Sequence, residues 1–312
     1  VRGPARGRPA RRGDGWQAGR VTDDVETHLG AFAAHRRLLF TVAYEMTGSA
    51  ADAEDVVQEA WLRWSAAARD DVLDPRAYLV RVTTRLALDR LRALRSRRET
   101  YVGSWLPDPL LTTPDAALQV ERAEDVSMAL LVVLETLSPL ERAVFVLREV
   151  FDLPYEEIAA VLDRSAAAVR QTAHRAREHV RARRPRFTAP DDAQRAAVER
   201  FMVACATGDT QALVASLAPD VVVVSDGGGK ARAALRPVEG ADKVARMLVG
   251  LAAKPETTAM TFEPAFVNGA LGGVWTLDGA AVMAACVEYD GERVARVLLF
   301  RNPERLAGLR RA

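Results

Sequence analysis

The chain is expected to fold as a multidomain protein: two all-α domains followed by an α+β domain, a cone with a curved antiparallel sheet. Three observations carry this. At 312 residues it is too long for one small domain. Up to about residue 184 its apolar residues recur with a helical period, whereas beyond about residue 193 valine-rich runs alternate with turn pairs. The formal net charge is only +1, yet arginines gather in separate one-signed runs, which assigns different surfaces to different segments.

Residues 1–21 carry Arg2, Arg6, Arg8, Arg11, Arg12 and Arg20 among Gly and Pro, with Asp14 as the one acid. Too little apolar surface is available there to offset chain entropy, so a disordered basic arm is expected. Residues 22–98 form the first helical domain. Within it Ser49 and Asp52 open a helix whose apolar face is Ala53, Val56, Val57, Ala60, Trp61 and Trp64, with Asp52, Asp55 and Glu59 along another side. Acids in a first turn suit the helix dipole; Glu59 lies further in, which suggests a partner surface. Asp74 and Pro75 open a long helix with Leu79, Val82, Leu86, Leu91 and Leu94 inward. Its arginines, Arg76, Arg81, Arg85, Arg90, Arg92, Arg95, Arg97 and Arg98, face outward and form a surface suited to phosphate.

Residues 99–113, which contain WLPDP (105–109), read as an irregular connector stiffened by proline. A second helical domain, 114–184, starts at the cap pair Thr113–Pro114, and Ser138, Pro139 and Glu141 form a capping box before Leu140, Val144, Leu147 and Phe151. It ends in LPYEEIAAVLDRSAAAVRQTAHRAR (153–177), two short helices joined by a turn. Ser165 caps the second, Val169, Ala173, Ala176 and Val180 line its inner face, and Arg170, His174, Arg177 and Arg181 line its outer face. This is a helix-turn-helix pattern. The basic stripe reads either as a solvated face or as a DNA surface; between Arg164 and Arg186 Glu178 is the only acid, which favours phosphate as the partner.

Residues 185–192 are a linker, and 193–312 the α+β domain. Two helical segments break at Gly208-Asp209, a β run covers 220–225 and ends in DGGGK (226–230), a helix lies near 239–253, and Asn268-Gly269, Asp278-Gly279 and Asp290-Gly291 mark hairpins. The two cysteines, Cys205 and Cys286, read as reduced, buried residues of a cytoplasmic protein. No secretory signal, membrane anchor, cofactor or metal site is expected.

DAEDVVQEAWLRW (52–64), DPRAYLVRVTTRLALDRLR (74–92) and the helix-turn-helix stretch, in this order, resemble regions two and four of bacterial RNA polymerase sigma factors of the extracytoplasmic-function (ECF) type. WLPDP, DGGGK and NPERL (302–306) are similar to the group of these factors that carries a fused SnoaL-like domain of the NTF2-like fold. The resemblance covers nearly everything from residue 22 onward. It implies a promoter-specificity subunit with core RNA polymerase and promoter DNA as partners. Asp55, Gln58 and Glu59 would face the core enzyme. Arg76, Tyr78, Arg81 and Arg85, with the loop Arg69 to Asp74, would contact the minus-10 element; Tyr78 stacks either on an unpaired base or in the core. Arg170, Gln171 and His174 would reach the major groove at minus-35, and Arg175 and Arg177 its phosphates. The first turn of that helix, Ala166 to Ala168, offers no bidentate contact, so shape and backbone contacts are expected to carry much of the affinity.

For the third domain two roles compete. SnoaL-like relatives include isomerases and cyclases, but all four histidines lie outside it, leaving Asp226, Glu239, Glu263 and Glu288 for acid–base work with no separated pair. The regulatory role is the better fit. Trp105, Asp108, Asp226 and Lys230 are the expected interdomain residues, with Lys230 paired to Asp108. A pocket in the cone is a place for a small ligand of unknown identity. A DNA-binding repressor that does not act through polymerase is the remaining alternative for the whole chain.

Overall fold

The computed structural model describes residues 15–67, 72–112, 127–183 and 191–309. Arm residues 1–14, loop residues 69–71, the cap pair Thr113–Pro114 and linker residues 185–190 therefore lie outside the described residues.

Three helices open the chain: α1 (Gly15–Thr47), α2 (Ala50–Ala66) and α3 (Pro75–Glu99). Helix α1 begins inside the stretch expected as a disordered arm, because adding residues to an existing helix costs far less than nucleating one. Ser49 caps α2 by accepting from Asp52 N, and Ala53, Val56, Val57, Ala60 and Trp64 are buried as expected. In α3, Leu79, Leu91 and Leu94 are buried, but Val82 and Leu86 are only half-buried, and Val80, Ala87 and Leu88 take their places. The buried stripe widens because α3 packs on α1 and α2 on one side and on the second helical block on the other.

The connector then contributes a two-residue strand, β1 (Leu111–Thr112). The second block is α4 (Met128–Leu134), α5 (Pro139–Phe145), a π-turn (Val146–Val150), α6 (Tyr155–Leu162) and α7 (Ala166–Arg183). The Ser138–Glu141 capping box forms in full. Helix α6 stops at Asp163, whose φ of 54° is left-handed, and Ser165 Oγ accepts from Ala168 N at 3.2 Å to start α7. Val169, Ala173, Ala176 and Val180 are all buried, so the helix-turn-helix is present. One apolar core runs through both blocks, from Leu39, Val42 and Leu79 to Val144, Leu147, Ile158 and Val169. The two helical units are thus packed together rather than hung separately on the connector.

The third unit comprises α8 (Asp191–Thr207), α9 (Thr210–Ser216), β2 (Leu217–Asp226), β3 (Val238–Glu239), α10 (Ala241–Ala252), α11 (Pro255–Thr258), β4 (Thr261–Val267), β5 (Ala270–Leu277), β6 (Ala280–Asp290), β7 (Arg293–Phe300) and α12 (Pro303–Leu306). The described strands form one sheet in the order β1-β4-β5-β6-β7-β2-β3. Asn268-Gly269 and Asp278-Gly279 turn with positive φ at both residues, and Gly291 does so at the first position of its loop, the geometry that matches strand twist.

Two expectations need correction. The sheet is mixed: β2 pairs with β7 in parallel, because the chain returns only after a crossover of two helices and four strands, long enough to reverse direction. The connector is not wholly irregular either; β1 adds to the edge of β4, pairing Leu111 with Val267 and Thr112 with Phe266. One face of the sheet is covered by α8, α9 and α10 through Phe201, Leu213, Val244 and Leu248. The other is covered by Leu106 of the connector, Met128 and Leu306, against Val267, Cys286, Leu298 and Phe300. Its own unit covers that second face only through the short α12, and Leu106 and Met128 complete it, which makes the connector part of its core.

Candidate promoter, polymerase and interdomain sites

On α7, Arg170, Gln171 and His174 are exposed on the face opposite Val169 and Ala173. Arg170 leans toward Glu156 at 3.4 Å, an exposed pair that holds it loosely. Arg175 lies 3.8 Å from Glu141, and Arg177 lies 3.7 Å from Glu149 and donates to Tyr155 Oη at 3.4 Å. Arg177 is therefore folded partly back onto its own unit, whereas Arg170, Gln171 and His174 face outward.

The expected minus-10 residues sit at the start of α3. Tyr78 is half-buried against Trp64, ring centroids 5.6 Å apart, with the Arg81 guanidinium 5.8 Å from its ring. Asp74, Arg76, Tyr78 and Arg81 line one wall of a cleft of about 220 Å³, and Leu153 and Glu157 line the other. Arg85 is not free: its Nε donates to Val161 O at 2.8 Å, at the end of the first helix of the helix-turn-helix. An unpaired carbonyl at a helix C-terminus is a natural acceptor for a cation, and the shared core brings it within reach.

On α2, Asp52 turns inward and pairs with Arg90. Asp55 is exposed and receives the same arginine at 3.1 Å; Gln58 is exposed, and Glu59 is half-exposed and bonded to Arg63 at 3.1 Å. Asp55, Gln58 and Glu59 thus share one outer side of α2.

The densest polar site lies where the connector meets all three units. Two guanidinium groups lie on the Trp105 ring, Arg98 at 4.4 Å and Arg305 at 3.7 Å from its centroid. Asp108 accepts from Ala50 N at 2.8 Å and from Arg305 Nη1 at 3.0 Å. Asp226 is fully buried; it accepts from Tyr101 Oη and, at 3.1 Å, from Leu106 N, and it lies 3.4 Å from Arg305 Nε. Arg305 also donates to Leu106 O. Burial pushes the Asp108 carboxyl upward, and Arg305 opposes it. Burial, then the bond to Asp226, raises the Tyr101 phenol to about 12. Beside this clamp, Glu135 receives both Arg98 and the buried Arg142, whose Nε donates to Glu45 O at 2.7 Å.

Of the interdomain residues expected from sequence, Trp105, Asp108 and Asp226 meet at this site and Lys230 does not. Lys230 pairs with Glu304, because the turn that carries it is exposed while Asp108 is buried behind Arg305. The glycines of that turn serve close approach: a Cβ on Gly228, whose φ is 59°, would lie 2.3 Å from Asn302 Nδ2. Several participants escaped sequence reasoning. Asn268 marks a hairpin, yet it is also buried, bonding Tyr44 Oη at 2.6 Å and the Leu110 backbone at 2.8 Å. Arg305 lies in the NPERL motif, whose likeness to the fused-domain group was the available signal; Tyr101, Glu135 and Arg142 carried none.

The acids considered for proton transfer do not converge. Asp226 faces the connector, Glu239 and Glu263 are exposed, and Glu288 is buried against Arg296 at 2.9 Å. Among the described residues no helix is long and apolar enough to cross a membrane.

Comparison with known proteins agrees with this geometry. The Sigma-70 region 2 family matches residues 31–97 and the Sigma-70, region 4 family residues 127–180. The chain is 44% identical to the ECF RNA polymerase sigma factor SigJ of Mycobacterium tuberculosis over 295 residues, covering 90% of this chain and 93% of the relative. It is 37% identical to the probable ECF RNA polymerase sigma factor SigI of the same species, covering 79% and 87% respectively. The crystal structure of M. tuberculosis SigJ superposes with a TM-score of 0.72 at 40% identity, covering 90% of this chain and 99% of that one. Whole-length similarity of this kind, together with the helix-turn-helix and the C-terminal α+β domain, places the chain among transcription initiation factors rather than enzymes: it belongs to the ECF RNA polymerase sigma factors.

Proposed function

We propose that this sigma factor recognises promoters through two surfaces that its own C-terminal domain holds in a closed arrangement. In this reading Asp55, Gln58 and Glu59 dock on core RNA polymerase in the cytoplasm. Arg76, Tyr78, Arg81 and Arg85 contact the minus-10 element; Arg170, Gln171 and His174 read minus-35, with Arg175 and Arg177 on phosphate. The two elements lie roughly 25 base pairs, or roughly 80 Å, apart along B-DNA. Arg85 touches Val161 at 2.8 Å, so the two surfaces must separate before both elements can be engaged. In the same reading the C-terminal domain takes a small ligand between α10 and the ends of β2 and β7.

The observation that carries the regulatory part is Arg305, which joins Asp108 and Trp105 of the connector to Asp226 of the C-terminal sheet. The test is run-off transcription with core RNA polymerase at limiting concentration and this chain as the only sigma factor. Arg305→Ala should raise output by loosening the closed arrangement. Output equal to wild type would contradict the regulatory reading while leaving the initiation role intact.

A further inference from the structure

A cavity of about 350 Å³ opens in the C-terminal domain between α10, the segment after β2 and the ends of β2 and β7. Four cations line it, Arg232, Arg246, Lys254 and Arg301, and no carboxylate does. Among the described residues none of the four takes part in an ion pair. That contrasts with Arg90, Arg98, Arg142, Arg170 and Arg305, each of which has an acidic neighbour.

The floor of the cavity is polar and unsatisfied. Ser225 is 2% exposed and its Oγ has no partner; the buried Nε of Arg301 has none either. Buried donors without acceptors are costly and uncommon in folded chains, as are like charges gathered without a counter-charge. An oxyanion answers both needs: guanidinium groups grip carboxylate or phosphate oxygens with two bonds each, and a serine hydroxyl adds a third donor. Leu299, Met247 and Leu251 supply an apolar wall for a short carbon body. The volume falls in the range of small-molecule sites and the shape is concave, unlike a surface that tracks a DNA backbone.

We propose that this cavity binds a small, multiply charged oxyanion, a di- or tricarboxylate or a phosphorylated metabolite. The site also has a route to the clamp. Side chains alternate along a strand, so Ser225 and Leu299 face the cavity while Asp226 and Phe300 face the connector. Arg301 N donates to Asp226 O at 2.7 Å, one residue from the side chain that lines the cavity. An anion that draws Arg301 and Ser225 together acts on strand ends that carry Asp226 and lead into Asn302 and Arg305. This effect on promoter output rests on the regulatory reading above; binding itself does not.

The test is calorimetric titration of the full chain with two probes, pyrophosphate and citrate, which separate phosphate from carboxylate chemistry. Saturable one-to-one binding of either is expected, weakened at least about tenfold in the exposed pair Arg246→Ala/Lys254→Ala. Arg232→Ala, on an exposed loop, is a second variant should the first unfold, and should weaken the same probe. Three results would overturn the proposal: no saturable binding of either probe at about millimolar concentration, undiminished binding in both variants, or a loss confined to duplex DNA binding, which would make this a DNA-phosphate surface. Probe binding with no Arg305→Ala effect on transcription would leave the site standing and remove only the regulatory reading.

Discussion

The recognition helix and the connector clamp are both built on arginine, and they differ in what surrounds it. Arg170 has a side chain 52% exposed and one exposed acid at 3.4 Å, an arrangement that leaves its donors available. Arg305 is 8% exposed and its donors go to Asp108, Asp226 and Leu106, with its face on Trp105. The first guanidinium contributes little to the fold and is available for an external anion. The second is consumed by the fold, and removing it strands two buried carboxylates. Exposure, not residue type, thus separates a binding arginine from a structural one.

The sharpest way to break that contrast is stability. Arg305→Ala should destabilise the chain by about 3–5 kcal/mol, the range for a buried ion pair that loses one partner. Arg170→Ala should change stability by less than about 0.5 kcal/mol. Chemical unfolding of both variants checks this, and equal losses would erase the distinction. The roles reverse on DNA. Arg170→Ala should cost about 1–3 kcal/mol on preferred minus-35 sequences and change which variants are preferred, whereas Arg177→Ala should weaken all of them alike and reduce the salt dependence. Titrations of a promoter panel at several salt concentrations separate the two outcomes.

A gradual effect, spread over several pH units, concerns the buried interface beside the clamp. Burial pushes the Glu45 carboxyl from 4.5 to about 8, against the pull of Arg142. The folded state therefore holds a proton that the unfolded state releases across that window. Stability should fall as pH rises from about 4.5 to about 8, by about 1 kcal/mol per pH unit from this group, and level off above. Glu45→Gln should flatten that slope; an unchanged slope in thermal unfolding across the same window would assign it elsewhere. The smallest effect belongs to Lys230→Glu. Its partner Glu304 is exposed, so the change should cost about 1 kcal/mol or less and leave the clamp intact, as measured by unfolding.

Much of this was legible in the chain itself. The capping box at Ser138, the cap at Ser165 and the buried face of α7 follow from local periodicity and side-chain-to-backbone bonds, both of which are written within a few residues. The clamp is different. Arg305 and Asp108 are separated by 197 residues, and nothing local distinguishes Arg305 from the exposed Lys230. Asn268 looks like any hairpin residue until Leu110 and Tyr44 arrive beside it. The strand that the connector adds to the sheet was hidden for the same reason: two residues carry no period, and their pairing depends on an edge supplied by β4.

The central claim, that Arg305 holds the two promoter surfaces closed, is tested most directly by a distance. Spin labels at the exposed positions of Arg92 on α3 and Arg181 on α7 report the separation of the two helical units in the full chain. Pulsed electron resonance should give one short distance in the wild-type background, with a longer population appearing in Arg305→Ala and on addition of core RNA polymerase. The same single short distance in the variant and in the polymerase complex would contradict the account.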